Sequence, residues 1–176
     1  MANTYTLISS NTVGSGGAAS ITFSSIPSTY TDLAVKISAR SDSAVYYTPV
    51  WMVVNSITSG YTNRFIDVYN NAPTSATDWF GINSKMPAGA ATGANDTAST
   101  FSNNEVYMPN YAGSTYKSVS VDGTTENNSG TNNQWYLFLS ANLLSNTAAV
   151  TGLTFTLNAG NFVQYSSIYL YGIKNS

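Results

Sequence analysis

The chain is patterned in short runs whose apolar residues recur at every second position, which is the period of a β-strand. The clearest run covers residues 31–40 and has one apolar side and one mainly polar side. The apolar side is Leu33, Val35, Ile37 and Ala39, and the other side is Asp32, Ala34, Lys36, Ser38 and Arg40. This pattern predicts a strand that buries one face and presents the other to water or to a partner.

Similar but shorter signals recur along the rest of the chain, and helical periodicity is nearly absent. Strands are predicted at residues 3–8, 19–24, 50–55, 105–109, 116–121, 134–140, 152–158 and 167–173. Glycines between the first two favour a hairpin, and apolar residues on both faces of 50–55 favour a mid-sheet position. Residues 65–69 fit a strand or one helical turn, and residues 79–82 fit a short strand. Residues 122–133 are predicted to be a polar loop.

Residues 87–100 consist almost wholly of Ala, Gly, Thr, Ser and Asn after the initial Pro87. Because this segment lacks large apolar side chains, we expect a long exposed loop or an extended arm that orders against a neighbouring chain. The whole pattern predicts a single all-β domain over residues 1–176, built from about eight to ten short antiparallel strands. An antiparallel β-sandwich of jelly-roll type is the expected architecture.

The composition narrows the chemistry that this domain can perform. The chain has no histidine and no cysteine, only 8% of its residues are charged, and its net charge is −2. Histidine relays, thiol nucleophiles and cysteine- or histidine-based zinc sites are therefore excluded. The six basic residues are scattered, so no nucleic-acid surface is expected. Neither a membrane-spanning run nor a secretory signal is apparent, and we expect synthesis in a cytoplasm.

The eight carboxylates give no strong catalytic or metal-binding pattern. No two of them share a strand two positions apart, and Glu105 is the acid to inspect first for catalysis. Residues 122–128 offer oxygen ligands but lack the acid spacing of a calcium loop, and the glycines at 14, 16 and 17 lack a following Lys-Ser/Thr pair. We therefore expect no catalytic residue, no metal and no cofactor, and we do not expect an enzyme.

Tyrosines in predicted loops and strand ends are the most informative side chains that remain. Such rings can be sheet residues, protein contacts or sugar-stacking platforms, and the sequence leaves all three open. Together with the polar side of residues 31–40 and the predicted arm, they define ten candidate contact residues. These are Asp32, Lys36, Arg40, Tyr46, Tyr47, Tyr61, Tyr107, Tyr111, Pro87 and Asn95.

Four segments give the chain a family resemblance: YTLISS at residues 5–10, ITFSSIP at 21–27, YTDL at 30–33 and LYGIK at 170–174. Their order and spacing resemble small virion structural proteins of tailed bacteriophages, usually described as capsid decoration or fibre-like proteins. The resemblance covers about the first 40 and last 10 residues, and it contains no catalytic motif. It implies a β-sandwich located in a virion.

Two functions follow from the resemblance and the composition. The first is a capsid cement or decoration protein on the outer capsid surface, with the major capsid protein and copies of itself as partners and a homotrimer as the favoured oligomer. The second is a head- or tail-fibre module that recognises a host glycan through loop tyrosines and the three tryptophans, Trp51, Trp79 and Trp135. Neither function requires a nucleic acid or a membrane.

Overall fold

The computed structural model describes residues 4–69, 72–77, 82–128 and 135–174. Within these ranges the chain forms twelve β-strands and no helix. The strands are β1 (Tyr5–Thr12), β2 (Ser20–Phe23), β3 (Asp32–Ser38), β4 (Tyr47–Val54), β5 (Tyr61–Tyr69), β6 (Ala72–Thr77), β7 (Met86–Thr92), β8 (Asn103–Met108), β9 (Lys117–Thr125), β10 (Tyr136–Leu144), β11 (Leu153–Leu157) and β12 (Ser167–Ile173).

The strands form two antiparallel sheets that pack as a β-sandwich, which confirms the predicted fold class. The larger sheet has the order β1-β12-β3-β8-β9-β10-β5-β6, and the smaller has the order β2-β11-β4-β7. If β5, β6, β9 and β10 are set aside, eight strands remain, and they can be renumbered 1 to 8 in chain order. The two sheets then have the strand orders 1-8-3-6 and 2-7-4-5, which is the jelly-roll arrangement. The four other strands widen one sheet of this frame.

The core lies between the two sheets, and the strands that supply it were recognisable from their patterns. Leu33, Val35 and Ile37 of β3 point into it, as predicted. Strand β4 lies between β11 and β7 and is buried along most of its length, which confirms the mid-sheet prediction. Strand β12 has the predicted bounds, and residues 65–69 belong to a strand and not to a helical turn.

The predicted hairpin between the first two strands is wrong. Strand β1 pairs with β12 in the larger sheet, whereas β2 pairs with β11 in the smaller sheet. The glycine-rich turn between them carries the chain from one sheet to the other, as successive strands of a jelly roll require. Local turn signals cannot distinguish this crossing from a hairpin, because both reverse the chain direction.

The prediction of an exposed arm at residues 87–100 is wrong for its first half. Residues 87–92 belong to β7, in which every side chain is buried. Small side chains are needed here because the larger sheet passes close by: the side chain of Asn104 lies where a Cβ at Gly89 or Gly123 would overlap it. Asn104 also bonds both backbone groups of Ala90, at 3.0 Å to its N–H and 2.9 Å to its oxygen. Only residues 93–100 form a loop.

The other segment predictions fall partly outside the described residues. Residues 79–81 and 129–134 lie there, and residue 82 is not in a strand. Residues 122–125, predicted as a loop, extend β9.

Candidate functional site

Strand β10 carries apolar residues on both faces: Tyr136, Phe138 and Leu144 point into the core, and three leucines point away from it. Leu137, Leu139 and Leu143 are 46%, 55% and 38% exposed, whereas Ser140 and Asn142 between them are buried. The strand therefore has a mixed inner face and a largely aliphatic outer face. Contiguous exposed aliphatic side chains usually mark a surface that another molecule covers.

The neighbouring strand β5 extends this apolar surface. Ile66 is 57% exposed and lies directly opposite Leu139, and the half-buried Val68 lies opposite Leu137. We call the surface formed by Ile66, Val68, Leu137, Leu139 and Leu143 the aliphatic face. Two shallow depressions of about 370 and 360 Å³ lie on it. Its rim includes Asp122, Thr124, Ser120 and Arg64, so that polar groups of β9 and β5 surround a hydrocarbon centre.

The interior side of the same strands holds a hydrogen-bonded polar group. The hydroxyl of Tyr136 donates to Oδ2 of Asp67 at 2.9 Å, and Nδ2 of Asn142 donates to Oγ of Ser140 at 3.0 Å. Burial raises the pKa of Asp67 above its usual range, against the effect of its hydrogen bonds from Tyr136 and Thr74. Burial, followed by the nearby Asp67 charge, raises the pKa of Tyr136. This region thus buries polar side chains while exposing leucines.

Three of the four segments that carry the family resemblance meet at the opposite end of the larger sheet, and the fourth, residues 21–27, includes β2 of the smaller sheet. Residues 5–7 of β1 pair with residues 171–173 of β12, and β12 pairs in turn with β3. The backbone N–H of Thr31 donates to the oxygen of Ile173 at 2.8 Å, and that of Lys174 donates to the oxygen of Thr4 at 3.1 Å. The ring of Tyr30 lies on Gly172 so closely that a Cβ there would overlap it. We call this assembly the terminal clasp.

Asp32, on the side of β3 that faces away from the core, adds hydrogen bonds to the terminal clasp. This buried carboxylate accepts hydrogen bonds from the hydroxyl of Tyr107 at 2.8 Å and from the backbone N–H of Asn110 at 2.9 Å. The hydrogen bond to Asp32 is the main cause of the raised pKa of Tyr107. These contacts hold residue 4 close to residue 174, and they give the three clasp segments a structural role.

A second recess lies where the start of β4 meets the loops at residues 93–96 and 158–159. We call it the aromatic cleft: it is lined by Tyr46, Tyr47, Tyr69, Asn95 and Asn158, together with smaller residues, and has a volume of about 480 Å³. The rings of Tyr47 and Tyr136 stack with centroids 4.4 Å apart and planes 12° apart. Tyr69 contacts Tyr47 from another side, at 5.1 Å. Burial raises the pKa of Tyr47 above the ordinary value of a phenol.

Four of the ten predicted contact residues are wrong as surface residues, because Asp32, Tyr61, Tyr111 and Pro87 are buried. The phenol of Tyr61 bonds the backbone at Val54 and Ile57, and that of Tyr111 bonds the oxygen of Pro27. A tyrosine can be buried when its hydroxyl finds a hydrogen-bond partner, as both of these do. The sequence alone does not distinguish such a buried tyrosine from one that makes a surface contact.

The other six reach the surface at least partly, in three places. Tyr46, Tyr47 and Asn95 come together in the aromatic cleft. Lys36 forms an ion pair with Glu105 on the outer face of the larger sheet, and Tyr107 lies half-buried on β8 beside Asp32. Arg40 donates to the backbone oxygens of residues 96, 97 and 100 and so holds the loop after β7. Of the tryptophans, Trp51 is buried, Trp135 is half-buried and Trp79 lies outside the described residues.

The described ranges contain no group of three or more carboxylates placed to hold a metal ion. Glu105 is engaged with Lys36, as noted above. In the same ranges, no helix is long and apolar enough to cross a membrane.

Comparisons of the chain with family models, with curated proteins and with solved structures returned no match.

Proposed function

We propose that this protein is a structural component of a tailed-phage virion, a decoration protein that binds the outer surface of the capsid. The observation that carries the proposal is the aliphatic face, where β10 exposes three leucines in addition to the apolar residues that it contributes to the core. Such a pattern is expected of a strand whose outer face is covered in the working assembly.

The major capsid protein is the partner that we assign to the aliphatic face. The strands are spaced about 4.8 Å apart and outward side chains recur about every 6.8 Å, so three strands with four outward positions each present roughly 400 Å². A contact of that size is weak by itself. Repetition over a lattice makes many weak contacts collectively stable, which is the situation of a decoration protein.

The terminal clasp and the charge balance also support this role. Three of the four segments that resemble virion proteins build the clasp and the fourth includes β2, so the resemblance concerns the jelly-roll frame from which the aliphatic face extends. A net charge of −2 allows many copies to pack closely with little mutual repulsion. Jelly rolls include both viral capsid and lectin domains, so the fold alone does not choose between the two candidate functions.

The first test is the copy number of the protein in purified virions, measured by quantitative mass spectrometry. A decoration protein occurs in proportion to the capsid lattice. A count of only a few copies per particle contradicts the proposal.

The second test measures co-sedimentation of the purified protein with capsids that lack it. The double variant Ile66→Thr and Leu139→Ser removes hydrocarbon from the aliphatic face and should abolish most of the binding. Tyr116→Ala changes another exposed apolar residue and serves as the matched control. Sedimentation velocity of the free proteins reports self-association separately. If the double variant binds capsids as the wild type does, the assignment of the aliphatic face is wrong.

The second candidate function, a fibre module that recognises a glycan, is favoured by a different surface, the aromatic cleft.

A further inference from the structure

The aromatic cleft presents two amide groups whose orientation is fixed by their hydrogen bonds. Asn158 accepts a hydrogen bond from Nε1 of Trp51 at 3.3 Å. Because an indole N–H can only donate, the atom of Asn158 that faces it must be Oδ1. Among the described residues, Nδ2 of Asn158 has no protein partner, so Asn158 presents an N–H donor at the cleft.

Asn95 is oriented in the opposite sense. Its Nδ2 donates to the backbone oxygen of Ala44 at 2.9 Å, and its own backbone N–H donates to the oxygen of Val45 at 3.1 Å. A carbonyl oxygen can only accept, so the atom that faces Ala44 must be nitrogen. The side-chain oxygen Oδ1 accepts no hydrogen bond within the described part of the chain. Asn95 therefore presents an acceptor at the same cleft.

The wall between these amides is aromatic and held in place. Tyr47 is fixed by its stack on Tyr136 and its contact with Tyr69, and the half-buried ring of Tyr46 lies beside it in the cleft lining. A fixed ring loses little conformational entropy when a ligand packs on it. None of the described residues that line the cleft carries a charge at neutral pH.

We propose that the aromatic cleft binds a neutral saccharide. Sugars combine an apolar C–H face, which packs on an aromatic ring, with adjacent hydroxyls that each donate and accept hydrogen bonds. One hydroxyl of such a pair donates to Oδ1 of Asn95, and the other accepts from Nδ2 of Asn158. The volume of about 480 Å³ accommodates one or two sugar rings. A nucleotide or another phosphate ligand does not fit, because the lining provides no cation.

This proposal concerns a surface that shares no residue with the aliphatic face, so saccharide binding and the capsid role can be tested separately. The probe is a panel of immobilised neutral oligosaccharides built from glucose, galactose, mannose and N-acetylhexosamines. Any member that binds is then titrated in solution by calorimetry. We expect at least one to bind with a dissociation constant of about 1 mM or tighter.

The decisive variant is Asn158→Asp, which keeps an acceptor for Trp51 but removes the Nδ2 donor. It should weaken binding about tenfold and leave the melting temperature nearly unchanged. Tyr46→Ala should weaken binding by a similar factor through lost stacking. Tyr116→Ala, which removes a 57% exposed ring outside the cleft, should bind as the wild type does. The proposal is overturned if no saccharide of the panel binds at about 10 mM, or if Asn158→Asp and Tyr46→Ala both bind as the wild type does.

Discussion

Strands β3 and β10 belong to the same sheet and both contribute apolar residues to the core, but their outer faces differ. In β3, Leu33 and Ile37 point into the core and Lys36 points outward to pair with Glu105. In β10, Leu137, Leu139 and Leu143 point outward and are exposed, while Phe138 and Leu144 point inward. The strands lie three positions apart in the sheet order, so the change occurs within one continuous surface.

The inner faces of both strands stabilise the domain, whereas the exposed outer face of β10 is available to a partner. The pattern of β3 is explained by the jelly-roll frame, because its apolar side fills the core. Tyr136, Phe138 and Leu144 already supply the core from β10, so the sandwich alone does not explain the exposed leucines on its other face. Strands β5, β6, β9 and β10 are also the ones that the frame does not require. We therefore interpret them as additions whose outer face serves an assembly.

If the frame folds for its own stability, a tight contact within it should be the most sensitive position. Gly172→Ala places a Cβ against the ring of Tyr30 and should lower the free energy of unfolding by about 3 kcal/mol, measured by urea denaturation. Gly16→Ala is the control, because a Cβ there meets no atom within 4 Å, and it should change stability by less than about 0.5 kcal/mol. Equal effects of the two substitutions would mean that the terminal clasp is not tightly packed.

The buried carboxylate of Asp67 in β5 should make the stability of the domain depend on pH. Because burial raises the pKa of folded Asp67 above the unfolded value of 3.8, the folded state binds this proton more tightly. The contribution of Asp67 to stability therefore rises as the pH falls from above the raised pKa toward 3.8, and it is least favourable at neutral pH.

Asp67→Asn removes this titration while its amide oxygen can still accept the hydrogen bond from Tyr136. We expect the variant to be at least as stable as the wild type at pH 7, with the difference shrinking or reversing as the solution is acidified toward pH 3.8. Urea denaturation at a series of pH values measures this. A stability difference that does not vary with pH would contradict the argument.

The smallest expected effect on stability is at the aliphatic face. Leu139→Ser should change the free energy of unfolding by less than about 0.5 kcal/mol, because the side chain is largely exposed. Leu170→Ser in β12 is the matched control: Leu170 is fully buried, and the substitution should cost about 3 kcal/mol or more. If both substitutions destabilise equally, the outer face of β10 is part of the domain's own core.

The sequence predicted the frame better than the additions, for physical reasons that particular residues illustrate. In β3 and β4, large apolar side chains are buried by the frame, so pattern and structure agree. In β7, burial depends on small side chains such as Ala88 fitting close to another sheet, and low hydrophobicity then resembles a loop. In β10, the period-2 pattern shows that Leu137 and Leu139 share a face, but it does not show which face points inward.

The aromatic cleft was predicted in part. Tyr46, Tyr47 and Asn95 were among the candidate contact residues, because tyrosines and amides in loops are recognisable in a sequence. Asn158 and Tyr69 were not among them. Asn158 acquires its role through Trp51, which is more than a hundred positions away in the chain, and no local signal reports such a contact.

The pairing of β1 with β12 also has a consequence for the order in which the protein folds during synthesis. Strand β12 lies between β1 and β3 in the sheet, so β1 and β3 both lack this neighbour until residue 173 has left the ribosome. At about 5–20 residues per second, β3 waits roughly 6 to 26 seconds for its partner after it has been translated. Throughout that interval the nascent chain exposes unpaired strand edges, which invite aggregation. Completion of this part of the sheet is therefore a late event in the synthesis of the domain.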